Sequence, residues 1–188
     1  MEFAVLLWIT TGSYYRKVQP PVPEKVMDAS GSLVFTGTDI KAGQQIFLKK
    51  ALMNNGTIWG HGAYLGPDFS AEYLHNLALD VSNYIALQKY SIGFSQLAPE
   101  QKKSLVPLTR DLLAENRYQY DVYNLLFTEP EVKSYNDQIS YWKDYLQKSP
   151  ANRGLSKTLI IDQVELKQLT SFFAWAAWAI TAKVPGKN

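Results

Sequence analysis

No cysteine occurs in the 188 residues, and histidine occurs only twice. The first absence excludes disulfides, thiolate metal sites and haem attached through Cys-x-x-Cys-His, and it leaves the redox compartment open. Two histidines alone cannot build a tetrahedral zinc site. Charge of a single sign is missing as well: 19 basic and 17 acidic residues are mixed along the chain, for a formal charge of +2. With no basic stripe to follow a phosphate backbone, nucleic acid is not an expected partner. There is no phosphate loop, no His-Glu-x-x-His and no nucleophile elbow. Neither an internal repeat nor a low-complexity tract is present, and no Gly/Ser/Pro linker divides the chain, so one domain is expected. No apolar run reaches the roughly 20 residues that cross a bilayer.

Aromatics are plentiful, with twelve tyrosines, five tryptophans and eight phenylalanines. Tyrosine and tryptophan join an apolar body to a polar handle, which suits a helical core with wet edges or a surface near a membrane. Two apolar stretches, Phe3 to Ile9 and Phe172 to Ala182, each resemble half of a membrane span. Buried helices of a globular core are the equally simple reading. Met1-Glu2 and Pro185-Gly186-Lys187-Asn188 read as cut edges of a longer polypeptide.

Between the ends the pattern is mostly α. Pro20, Pro21 and Pro23 impose an extended spacer, and Leu33 to Phe35 suggests a short strand. Thr38 or Asp39 is the expected cap of a helix with Ile40, Ile46, Phe47 and Leu48 on or near its buried side. Phe69 to Tyr90 repeats Leu74, Leu77, Ala78, Val81 and Ile85 at helical spacing. Pro99 opens the next helix on a Leu105, Leu108, Leu112 stripe, and Pro107 should kink or split it. Tyr118 to Thr128 is rich in β formers and reads as a short hairpin or extended arm. Pro130 to Lys148 is helical on Val132, Tyr135, Ile139, Trp142 and Leu146, and Asp162 caps a last helix built on Val164, Leu166, Leu169 and Phe173.

The densest punctuation lies from Gly56 to His75, where Gly56, Gly60, Gly62, Gly66, Pro67 and both histidines fall together. Such glycine density signals positive φ angles or close backbone approach. Asp68 is placed to cap the following helix, with Glu72 in its first turn. The spacing Gly60-x-Gly62-x-x-x-Gly66 does not fit the dinucleotide fingerprint. His61 is an acid, base or ligand candidate, with Asp68 or Glu72 as its acid–base partner, although most such histidines only satisfy backbone groups. Oxygens of Asp68, Glu72 and the carbonyls around Gly62 would suit a hard cation but fall short of the six or more that calcium takes. Helix capping alone accounts for the two carboxylates.

Gly43-Gln44-Gln45-Ile46-Phe47 on a helix, Leu65-Gly66-Pro67-Asp68 after a glycine loop and a final helix with Leu166, Leu169 and Phe173 resemble a class I cytochrome c. Counted from Gly43, that family's two haem-attaching cysteines fall on Ala51 and Asn54, and its histidine on Asn55. The fold is retained on this reading but covalent haem c is not, and bulky aromatics are expected to fill the vacated site. The run from Leu52 to Asp68 is more specific. Together with Pro20 to Val26 and Thr170 to Trp175, it resembles the haem-free, cytochrome c-like domain at the N-terminus of single-chain, quinol-dependent nitric oxide reductases. The resemblance covers nearly the whole chain and is weakest from Gln96 to Asn152.

That resemblance implies residues 1–17 as the end of a first membrane helix, 18–171 as the extracytoplasmic domain and 172–188 as the start of a second membrane helix. It implies a parent enzyme that couples two NO molecules to N2O in the bacterial cytoplasmic membrane, with haem b, haem b3 and non-haem iron in later membrane helices and none of the chemistry in this chain. The implied partners are the membrane catalytic portion of the same polypeptide and the lipid bilayer at both chain ends. Gly62 and Tyr64 are the implied calcium contacts, and Gly60, His61, Gly66 and Asp68 the implied docking loop. A stand-alone periplasmic module binding a small ligand or calcium is the alternative.

Overall fold

Thr36, rather than Thr38 or Asp39, caps the first helix. Its hydroxyl accepts from the Asp39 amide at 3.2 Å, while the Asp39 carboxylate accepts from the Thr36 amide at 2.9 Å. The expected cap residue is thus the reciprocal partner of a capping box whose threonine ends the preceding strand. The structure, a computed structural model, describes residues 20–147, 155 and 161–183. The apolar stretch Phe3 to Ile9 and the expected first flank, 1–17, lie outside the described residues.

Strand β1 (Lys25–Met27) pairs antiparallel with β2 (Leu33–Thr36). Helix α1 (Gly37–Lys49) follows, then a single 3-10 turn and a two-residue hairpin, β3 (Thr57–Ile58) and β4 (His61–Gly62). Helix α2 (Phe69–Tyr90) and helix α3 (Pro99–Ala114) lead to β5 (Tyr118–Gln119) and β6 (Asn124–Leu126). Helices α4 (Glu129–Gln147) and α5 (Gln163–Thr181) complete a mostly helical domain. β5 and β6 form the expected hairpin. They do not stand alone: β6 also pairs in parallel with β1, giving a sheet ordered β2-β1-β6-β5. Strands of two to four residues carry almost no periodicity, so this long-range pairing is silent in the sequence.

The expected helical faces are largely those that are buried, with three corrections, of which the first is Val164, expected in the core of the last helix but exposed in its first turn. Leu48 is exposed at the end of α1, beyond the buried Ile46 and Phe47. In α3 the buried line is Leu105, Thr109 and Leu113, while Leu108 faces solvent. Pro107 does not split α3. It sits on the exposed face, as does Lys103 one turn earlier, so water can take up the carbonyl that a proline amide cannot serve.

α1 packs along α5, and the contact is backbone on backbone: a Cβ added to Gly43 would lie 2.0 Å from the Gln168 carbonyl oxygen. Around this crossing the core is aromatic. Phe69 stacks on Phe173 with centroids 4.9 Å apart and planes 13° from parallel. Trp142 meets Phe173 edge-on at 4.9 Å, and Phe47 meets Phe69 at 5.6 Å. Each such ring contributes on the order of 1.5–3 kcal/mol by burial alone. α5 runs unbroken from Gln163 to Thr181, with Phe172, Phe173, Ala174, Ala176, Ala177 and Trp178 all buried in this domain. Among the described residues no helix is long and apolar enough to cross a membrane.

Candidate functional site

The glycine loop starts where α1 stops. Ala51 takes a left-handed conformation (φ 54°), Leu52–Asn54 form one 3-10 turn, and Leu52 is buried beneath it. Of the three positions that correspond to haem attachment, Ala51 and Asn54 are exposed and Asn55 is buried. The Asn55 carbonyl accepts from the Gly66 amide at 2.5 Å, and its side-chain oxygen accepts from the Tyr145 hydroxyl at 2.9 Å. A side chain at Gly66 would collide with that same oxygen. Gly66 therefore belongs to the floor of the loop.

Thr57 opposes Gly62 and Ile58 opposes His61 across the small hairpin, leaving Trp59 and Gly60 as its turn. Both have positive φ, 54° and 76°, as a type I′ turn requires. Glycine adopts this freely, but tryptophan does not. Trp59 is held there on three sides: its amide donates to the Ser70 hydroxyl at 3.2 Å, its indole N–H to the Ala176 carbonyl at 2.9 Å, and its ring lies 5.5 Å from Trp175. The Trp175 indole N–H in turn donates to the Pro21 carbonyl at 3.0 Å. Two tryptophans thus tie the hairpin tip and the N-terminal spacer to the middle of α5. At Gly62 (φ 141°) a Cβ would sit 2.4 Å from the Gly56 carbonyl, so the turn is closed by backbone alone.

Asp68 caps α2 as the sequence indicates, and also locks the hairpin. One carboxylate oxygen accepts from the Ser70 amide (3.0 Å), the Ala71 amide (2.9 Å) and the Ser70 hydroxyl. The other accepts from the Thr57 hydroxyl and the Gly60 amide, both at 2.6 Å. Partial burial works against ionisation, but the donors from Ser70, Thr57, Ala71 and Gly60 outweigh it and hold the carboxyl below its ordinary value of 3.8.

Above this rigid base the loop presents apolar side chains to solvent. Tyr64 is 83% exposed and bonds back to the loop, its hydroxyl donating to the Gly60 carbonyl at 3.0 Å. Leu65, Met53 and Trp59 are exposed beside it, as are Gly60 and His61. Trp59, Met53 and Leu65 escaped sequence reasoning because an apolar side chain announces burial by default. The one available signal was their position among glycines, where no helical or strand face could bury them.

The acid–base pair suggested for His61 is not assembled. Both Asp68 oxygens are taken by backbone and hydroxyl donors, and Glu72 accepts from the Tyr141 hydroxyl. His75 is exposed on α2. For calcium, the Tyr64 hydroxyl and Asp68 are already engaged within the loop, and among the described residues no group of three or more acidic or histidine side chains gathers to hold a metal. Haem c does not fit this chain either. There is no thiol to attach it, and no buried residue among those described is a histidine or methionine.

No curated protein matches the chain. Residues 23–188 match the family described as the NorB cytochrome c-like domain of nitric oxide reductase, and the α1–α5 crossing at Gly43 and the final aromatic helix lie within that span; the chain belongs to this family.

Proposed function

We propose that the chain is the haem-free, extracytoplasmic cap of a quinol-oxidising nitric oxide reductase, and that it works by shape: it docks over the membrane helices and shields their haems. The reading rests above all on the hairpin. Exposed Met53, Trp59, Tyr64 and Leu65 stand on a backbone locked by Asp68, and the same hairpin is pinned through Trp175 to the point where the chain enters from Pro21. An apolar patch on a rigid, glycine-tight loop suits a protein surface rather than solvent. On this reading residues 1–17 and the continuation beyond Lys183 lead into the bilayer, and the partner surface is the catalytic membrane portion of the same polypeptide, on the periplasmic side.

A calcium contact from Gly62 and Tyr64 belongs to the same docked arrangement. This chain alone supplies too few oxygens, so most of the shell would come from the membrane portion. Calorimetry of the chain with calcium chloride should give weak or no heat, and tight stoichiometric binding would favour a stand-alone calcium module. The docking reading is tested by Tyr64→Ser with Leu65→Ser in the full-length reductase. NO turnover should fall severalfold while the melting temperature of the isolated chain stays unchanged. Wild-type turnover in that variant would overturn it.

A further inference from the structure

A second exposed apolar feature lies outside the glycine loop. The turn joining β5 to β6 runs Tyr120-Asp121-Val122-Tyr123, and Tyr120, Val122 and Tyr123 are each about half exposed, at 54%, 47% and 56%. Nothing in the fold requires three such residues there. Tyr123 also holds a positive φ of 55°, a conformation that a polar asparagine or glycine would adopt with less strain.

The turn is bracketed by the two ends of the described chain. The Tyr123 carbonyl accepts from the Glu24 amide at 2.7 Å, immediately after the proline spacer. Because β1 runs parallel to β6, the chain upstream of Lys25 leaves the sheet on the side where this turn lies. On the other flank Tyr120 packs edge-on against Tyr118 at 4.7 Å, and Tyr118 lies 6.0 Å from Trp178 near the end of α5. That end is itself tied down next to β5: Lys183 donates its amide to Ala114 and accepts from the Asn116 side chain, both at 3.0 Å.

We propose that the Tyr120–Tyr123 turn is a membrane foot, seated in the headgroup layer of a zwitterionic bilayer next to the two points where the chain passes toward the membrane. It deepens the cap reading and rests on it. Tyrosine is the fitting residue for this depth, since its ring enters the apolar boundary while its hydroxyl stays among headgroups. Val122 supplies an apolar tip, and the exposed Asp121 can pair with the ammonium groups of choline and ethanolamine headgroups.

The absence of cysteine gives a clean test. Val122→Cys and, as a control on the exposed face of α2, Leu87→Cys each place one nitroxide on the 188-residue chain in phosphatidylcholine/phosphatidylethanolamine vesicles. The label at 122 should be severalfold more accessible to oxygen, relative to a water-soluble nickel chelate, than the label at 87. Equal, water-like accessibility at both positions on vesicle-bound chain would overturn the foot and leave the cap reading standing. A label at 122 shielded from both quenchers would also overturn it, by showing protein cover. A chain that fails to bind vesicles would likewise overturn the foot and leave the cap reading, which rests on docking to protein, standing.

Discussion

A single nitrogen of Arg117 donates to both carboxylate oxygens of Glu131, at 2.7 Å each. Glu131 is 4% exposed, and one of its oxygens also accepts from the amide and hydroxyl of Thr128, at 2.7 and 2.6 Å. The same guanidinium reaches the Leu112 carbonyl at the end of α3 and the Leu126 carbonyl in β6. One cation thus joins α3, the β5–β6 hairpin and the start of α4.

Arg117→Ala should cost about 3–5 kcal/mol in urea unfolding, because it strands a buried carboxylate. Adding Glu131→Gln should recover part of that loss, since the amide oxygen can still accept from Thr128 without a buried charge. Additive losses in the double variant would show that the two side chains stabilise the domain independently.

Tyr73 and Tyr135 are both buried, yet their hydroxyls differ. The Tyr135 hydroxyl lies 2.9 Å from that of Ser171, whereas the Tyr73 hydroxyl has no hydrogen-bond partner among the described residues. Tyr135→Phe should lower stability by about 1 kcal/mol, while Tyr73→Phe should be neutral or stabilising. Thermal melts of the two variants decide this directly. Burial pushes both phenols up, Tyr135 to about 12. Above pH 10 the unfolded chain releases these protons and the folded one keeps them, so stability should fall as pH rises from about 10 toward 12.

Asp68 sets the acid limb of the same curve. Its carboxyl is held below 3.8, so the unfolded chain takes up the proton first as the solution is acidified. The stability it contributes is complete above that value and is lost as pH falls through the lower, folded one. Asp68→Asn turns one acceptor toward donors and should cost about 1–3 kcal/mol at neutral pH, toward the lower end because the site is partly solvated. The gap between variant and wild type, followed by chemical denaturation, should close below about pH 4 as the carboxyl protonates. A gap that stays constant to about pH 2 would mean the carboxylate charge contributes nothing.

Helices were legible wherever a long apolar repeat met a cap: Phe69 to Tyr90, opened by Asp68, has in the structure the limits its spacing indicates. Gly43 was legible only through resemblance, since nothing local reveals that its missing Cβ admits the Gln168 carbonyl. The shift of the α3 stripe to Thr109 and Leu113 was hidden because the hydroxyl of Thr109, buried against Ser82 at 2.9 Å, counts as polar in any periodicity. At the loop, the glycines indicated tight backbone and Asp68 indicated a cap. That Asp68 also holds Thr57 and Gly60 depends on the chain folding back on itself, which no spacing announces.

On the cap reading, aromatic side chains occupy the space that a cytochrome c gives to its porphyrin. Phe47, Phe69, Trp142 and Phe173 meet at ring separations of 4.9 to 6.2 Å, and no thiol is available to fasten a haem. Titration of the purified chain with haem, followed by absorption spectroscopy, addresses this directly. The expected result is the spectrum of free haem at every ratio, with no saturable Soret shift; a sharp, stoichiometric Soret band from tightly held haem would contradict the account.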